Sequence, residues 1–235
     1  MHSAQRLPGR ARWAISWRAR MHGLQSTVPL SDQSPPRVLL ASRSPRRRAM
    51  LEESGYGVEV IDAGIDDGLL KPGLVPPAWW VAALALLKAT AGADEASRRG
   101  LVFPVIGGDT VCVHRGKIIG QPEDARHAWS IIDSFRNARH AVLTGVAVVD
   151  QETGERRLAV DVAWSSLGDL PDSEIDAYVA SNDWRGKAGA YNLTERIAAG
   201  WPIEFEGDPD TIVGLPRRLL PELLAGCRVA TGGAA

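Results

Sequence analysis

Cysteine is nearly missing from this chain. Cys112 and Cys227 are the only two, too few and too far apart for a zinc motif or a disulfide framework, which favours a reducing compartment such as the cytoplasm. No apolar run reaches the length of a membrane span, and the most apolar part of the middle region, Val81 to Leu87, is broken off by Lys88. A charge excess is lacking too. With 27 basic and 28 acidic residues the net charge is −1, which excludes a protein whose whole surface binds nucleic acid or anionic membrane and confines any polyanion to a local basic site. His2, His22, His114 and His127 show no metal-ligand spacing, and neither a GxSxG turn nor a Cys and His pair offers a covalent nucleophile. Eight tryptophans occur, Trp79 and Trp80 side by side, but without the basic interleaving of a single-strand stacking platform. They read as core or dimer contacts.

What is present is a globular composition: 235 residues, 45% hydrophobic and 23% charged, enough to bury a sizeable core in one domain. Residues 1–34 stand apart, with Arg6, Arg10, Arg12, Arg18 and Arg20 and no acid before Asp32. They read as a disordered extension, or as the product of a start upstream of Met21. The expected domain is 35–227, with 228–235 a flexible tail. Within it, short strands are expected at Val38–Ala41, Gly57–Ile61, Leu101–Ile106, Val111–His114 and Lys117–Ile119. Longer ones are expected at Ala141–Val149 and Arg156–Trp164, joined through DQETGE, and a short one at Ile203–Glu206. Helices are expected from Pro45 to Gly55, from Pro76 to Gly100, and over Pro122–Phe135, Pro171–Val179 and Pro216–Leu224. Alternating strands and helices interrupted by hairpins imply an α/β fold with a mixed central sheet and two α/β lobes flanking a cleft.

The segment VLLASRSPRRRAMLEESG packs a buried strand, a polar turn and a capped helix start into one unit. Ser44 is a good N-cap and Pro45 suits the first helical position, so backbone N–H groups point out of the turn. With Ser42, Arg46, Arg47 and the positive end of the helix dipole, a phosphate chain would meet donors and charge from several directions. Asp109 follows the glycine pair Gly107 and Gly108 at the carboxyl end of a strand, where ligand sites tend to lie. A carboxylate there, with Asp66 or Asp67, suits Mg²⁺, which takes one or two carboxylates plus substrate phosphates. Lys187, in GKAGAY, adds a cation beside small residues that let a ligand approach the backbone, and Lys88 on the long helix supplies another. His140 reads as hydrogen-bonded at a strand edge rather than catalytic.

The motifs LLASRSPRRRAML, GGDTVCVHRGKIIGQPEDA, HAVLTGVAVV, KAGAY and GDPDTIVGLP occur in the order and at the spacing of the Maf proteins, the septum-formation-inhibitor-like nucleotide pyrophosphatases. The resemblance covers about residues 37 to 225. It implies the ITPase-like (Maf/Ham1) fold with a deep cleft, and hydrolysis of nucleoside triphosphates to monophosphate and pyrophosphate with Mg²⁺ or Mn²⁺. It also implies roles: Ser42, Ser44, Arg46 and Arg47 on the triphosphate, Asp109 in catalysis, Lys88 and Lys187 neutralising phosphate charge, and Asp67 with Asp109 on the metal. The KAGAY form resembles the branch acting on dTTP and UTP; the branch acting on 7-methyl-GTP usually carries AGSF. Departures are Asp67 for Glu, Gln121 for Lys, Thr194 for Gln, and Phe135, Arg136 and Asn137 for LSG. Gln121 and Thr194 hold substrate-binding positions of the pattern, and Arg136 or Arg139 is a substitute cation for the missing lysine. The resemblance thus implies a nucleotide substrate, a cytoplasmic location, no membrane or stable nucleic-acid partner, and a homodimer as the assembly to consider. The alternative is a nucleotide-binding regulator of cell division whose turnover is weak or lost.

Overall fold

The computed structural model describes residues 35–66 and 70–227. The expectations for residues 1–34, Asp67 and 228–235 lie outside the described residues. One seven-stranded sheet organises the rest. Its strands are β1 (Arg37–Ala41), β2 (Gly57–Val60), β3 (Val105–His114), β4 (Lys117–Ile119), β5 (Ala138–Val149), β6 (Arg156–Leu167) and β7 (Ile203–Glu206). They lie in the order β2-β1-β3-β5-β6-β7, with β4 added to β3. β1 runs parallel to β2 and β3, and the remaining pairings are antiparallel, so the sheet is mixed as expected. Around it pack α1 (Pro45–Glu53), α2 (Pro77–Arg98), α3 (Ala125–Phe135), α4 (Asp172–Ser181), α5 (Leu193–Ala198), α6 (Pro209–Val213) and α7 (Leu220–Leu223).

Helix α2 lies against one face of the sheet over a layer of small and branched residues, Ala41, Ile61, Ala85, Ala89, Val105 and Ala147 among them. Two glycines set how near it comes. A Cβ on Gly107 would stand 2.4 Å from the Ala85 carbonyl oxygen, and one on Gly145 would stand 2.6 Å from that of Val81. The glycine of GGDT is therefore a packing residue: its missing side chain lets the backbone of α2 settle onto β3. Ala85, Lys88 and Ala89 share one face of α2 by their helical spacing. The close approach thus brings Lys88 to the strand residue two places after Gly107, which is Asp109.

The opposite face carries α1 and the C-terminal elements over Leu40, Met50, Leu51, Ile106, Val146 and Leu215. A third cluster joins α3 and α4 around Phe135, Ile175, Tyr178, Trp184 and Trp201. Burying a leucine such as Leu40 or Leu51 completely contributes roughly 2 kcal/mol. The tryptophans divide: Trp184 and Trp201 are core, whereas Trp79 is 73% exposed.

Several element boundaries differ from the sequence expectation. Leu101–Pro104 is not a strand, and β3 starts at Val105 and runs unbroken to His114, so Asp109 sits in mid-strand rather than at a strand end. The long partner β5 is the cause, since it pairs with β3 from Val105 to Val113 without a gap. β1 stops opposite Gly107, and β4, antiparallel, pairs only with Cys112–His114. Residues 108–111 of β3 are thus left without a strand partner on that edge among the described residues. The expected last helix is a 3-10 turn, Arg217–Leu219, followed by the short α7.

Candidate active site

The gap in the sheet beside β3 opens into a cavity of about 430 Å³. Its walls come from the β1–α1 turn, the segment after β2, Lys88 of α2, mid-β3, Gln121, the loop 185–192, and the end of α6. Six basic side chains line it, Arg43, Arg46, Arg47, Lys88, Arg185 and Lys187, against the two carboxylates Asp62 and Asp109. A wall of that sign fits a polyanion such as a triphosphate.

The β1–α1 turn forms as its sequence requires. Ser44 is the N-cap, its Oγ accepting from the Arg47 backbone N–H at 3.4 Å, and Pro45 opens the helix. Ser42 Oγ accepts from the Ser44 backbone N–H at 3.3 Å and from Arg47 Nη1 at 3.1 Å. Both hydroxyls act as acceptors, which leaves each with a proton to give to an anionic oxygen. Gly55, with φ of +85°, ends the segment in the left-handed region.

Arg46 and Arg47 differ in kind. Arg47 is buried, and its Nε donates to the Gly214 carbonyl at 2.8 Å while Nη2 donates to Thr110 Oγ1 at 2.9 Å. It is held rigidly at the cavity wall. Arg46 lines the cavity without a hydrogen-bond or ion-pair partner among the described residues, as does Arg43.

Asp109 and Lys88 form an ion pair across the strand–helix contact, Nζ to Oδ1 at 2.7 Å, with side chains 11% and 14% exposed. The lysine thereby holds one carboxylate oxygen in place at the cavity wall. Lys187 is also buried and is paired with Glu195 on the first turn of α5. Its loop is fastened from several sides. Gly189 adopts φ of +73°, where a Cβ would stand 2.6 Å from Cys112 Sγ. The Tyr178 hydroxyl donates to the Ala190 carbonyl at 3.0 Å, and the Tyr191 hydroxyl lies 3.1 Å from Ser165 Oγ and 3.2 Å from His140 Nε2.

Of the residues expected from sequence, Ser42, Ser44, Arg46, Arg47, Lys88, Asp109, Gln121 and Lys187 all line this cavity. Thr194 does not. It is exposed on the first turn of α5, and its hydroxyl donates to Asn192 Oδ1 at 2.8 Å, while Asn192 itself caps that helix and lines the cavity. Asp66 is exposed and outside the lining, whereas Asp62, four residues earlier, is within it. The substitute cations lie outside the cavity lining. Arg136 is paired with Asp133 and Asp172, and Arg139 with Glu206. Arg185, which sequence reasoning missed, does line the cavity; its place directly before GKAGAY was the available signal.

His140 lies in the interior strand β5 rather than at an edge, stacked on Phe135 with ring centroids 3.9 Å apart. Burial and the neighbouring His114 push its pKa down from 6.5 to about 4. Between those values the unfolded chain binds more protons at this position than the fold does. Stability from this group is therefore whole above about pH 6.5 and is lost by roughly 3 kcal/mol as the pH falls toward 4. Thermal unfolding of His140→Gln should show a shallower loss of Tm between pH 7 and 4.5 than the unsubstituted protein; equal slopes would place the acid sensitivity elsewhere. Burial also pushes the Cys112 thiol up to about 12, so it packs as a neutral group.

Comparison with known proteins agrees with this geometry. Residues 37–227 match the family model described as Maf-like protein. A dTTP/UTP pyrophosphatase of Salinibacter ruber is 39% identical over 193 residues, covering 82% of this chain and 91% of the relative. Those of Pelotomaculum thermopropionicum and Cupriavidus metallidurans are 36% and 38% identical, over 80% and 75% of this chain and 94% and 90% of theirs.

Proposed function

We propose, since this chain belongs to the Maf-like protein family, that it hydrolyses nucleoside triphosphates, dTTP and UTP foremost, to the monophosphate and pyrophosphate. The observation that carries the reading is the meeting of a lysine-held carboxylate, Asp109, with a wall of cations in one cavity. In this reaction a water oxygen bonds to the α-phosphorus, the bond from that phosphorus to the bridging oxygen breaks, and pyrophosphate leaves with the electron pair. Asp109 takes the water's proton. Arg46, Arg47 and Lys187 stabilise the charge that gathers on the leaving pyrophosphate, and the Ser42 and Ser44 hydroxyls with the α1 N-terminus add donors.

Mg²⁺ or Mn²⁺ is the cofactor of this reading. Asp109 and Asp62 supply hard oxygen donors on the cavity wall, and no cluster of three or more potential ligands occurs among the described residues. That sparse set suits an ion which completes its shell with phosphate oxygens and water. Once bound, the ion would offset phosphate charge and polarise the reacting phosphoryl oxygens. The described helices include none long and apolar enough to cross a membrane, and the cytoplasm is the proposed compartment.

Purified protein assayed against a panel of ordinary and modified nucleoside triphosphates with Mg²⁺ or Mn²⁺, with pyrophosphate as the readout, tests the proposal. Release from dTTP and UTP supports it. Triphosphate binding without release would favour the regulatory alternative, to which the neutral Gln121 and the Lys187–Glu195 pair point. Within this scheme Arg46→Ala should lower kcat/KM about tenfold, about 1.4 kcal/mol of transition-state stabilisation. Its Tm should hardly move, because Arg46 has no hydrogen-bond or ion-pair partner among the described residues. Unchanged kinetics would move the triphosphate away from α1.

A further inference from the structure

The segment GDPDTIVGLP, remote in sequence from the cations, has no role in the scheme above, yet it reaches Arg47 twice. Its Gly214 carbonyl accepts from Arg47 Nε at 2.8 Å. Its Thr211 carbonyl accepts from Thr144 Oγ1 at 2.7 Å, and Thr144 Oγ1 stands 2.8 Å from Thr110 Oγ1, the acceptor for Arg47 Nη2. Thr144 and Thr211 are fully buried. A threonine hydroxyl has one proton to give. That of Thr144 goes to the Thr211 carbonyl, so in its contact with Thr110 it accepts, and Thr110 is the donor. Thr110 then offers Arg47 a lone pair and no proton. The polarity of the whole chain is fixed: Arg47 N–H to Thr110, Thr110 O–H to Thr144, Thr144 O–H to the carbonyl of Thr211.

We propose that Thr144 is a positioning residue for the pyrophosphatase reaction, which by setting the direction of the Thr110 hydroxyl locks the Arg47 guanidinium in the geometry that receives the triphosphate. The inference rests on the functional reading above. Thr144 is not itself among the residues lining the cavity and acts through Thr110 and Arg47, which are. The far end of the chain is anchored as well, because the Thr211 hydroxyl donates to Asp161, which is also paired with Arg218. Replacing Thr144 by valine keeps the volume but removes both the donor for Thr211 and the acceptor for Thr110. The Thr110 proton is then free to turn toward Arg47, setting donor against donor.

The test is a double-mutant cycle on the full chain, with dTTP and Mg²⁺ as substrate and pyrophosphate release as readout. Thr144→Val should lower kcat/KM about tenfold, and Thr144→Ser, which restores the hydroxyl, should return it to within about threefold of the original. Because Thr144 works through Arg47, Thr144→Val combined with Arg47→Ala should be no worse than Arg47→Ala alone. Losses that multiply, a serine variant as poor as valine, or a valine variant with full activity would each overturn the proposal. Should valine fail to give a cooperative melt, Thr144→Ala carries the same cycle with the same criteria. An unsubstituted protein that binds dTTP without hydrolysing it would sink the functional reading alone, and the cycle read on dTTP affinity would still decide the role of Thr144.

Discussion

Asp109→Asn is expected to lower kcat by at least about a hundredfold, the usual scale for removing a general base, while leaving dTTP binding intact or tighter. Asparagine keeps the size of the side chain, and its amide oxygen can still accept from Lys88 Nζ, now 2.7 Å from Oδ1. It cannot take a proton from water, and it is a poor ligand for a hard divalent ion. The direction of the binding change follows from charge. One of the two carboxylates lining a cavity with six basic side chains has gone, so ground-state repulsion of the proposed triphosphate falls while transition-state assistance is lost. Steady-state kinetics with calorimetric titration of dTTP separate the two effects. Near-original turnover would make Asp109 a structural counter-ion of Lys88 and would place the chemistry elsewhere.

The parts of this site that sequence reveals are those whose signal is local. Ser44, Pro45 and Gly55 punctuate α1 by capping, ring geometry and left-handed φ, each a property of one or two residues, and the structure shows all three in those roles. The same holds for the hairpin between β3 and β4, turned at Arg115 and Gly116, both at positive φ. Relations between distant segments were hidden. Arg47 reads as one arginine of three in a row, and nothing in its neighbourhood says that a carbonyl 167 residues away fixes it. Asp109 stands out in sequence as a carboxylate after a glycine pair at an expected strand end, but it lies in mid-strand, because β3 extends along its long partner β5. Helices α5 and α6, of six and five residues, are too short to show a periodic pattern. Thr194 was placed by motif alone, and its hydroxyl is engaged with the helix cap at Asn192.

Lys88→Met is expected to lower kcat/KM about a hundredfold and to destabilise the fold by about 3 kcal/mol, the cost typical of stripping one partner from a buried ion pair. Both effects come from one atom. Lys88 Nζ compensates a carboxylate that is 11% exposed, and it lines the cavity in which phosphate charge is to accumulate. Its position is set by the close approach of α2 to the sheet at Gly107 and Gly145. Methionine suits a helix and fills much of the same volume, so loss of packing contributes little. A chain of this size should lose roughly 6 to 12 °C of Tm for that energy. Combining the change with Asp109→Asn separates the two roles. Removing both charges should recover most of the Tm, since neither member of this pair is then left charged without the other, whereas pyrophosphate release should stay as low as in Asp109→Asn alone. If Tm falls and activity does not, Lys88 is only the counter-ion of Asp109, and the phosphate cations reduce to the arginines of α1 with Lys187.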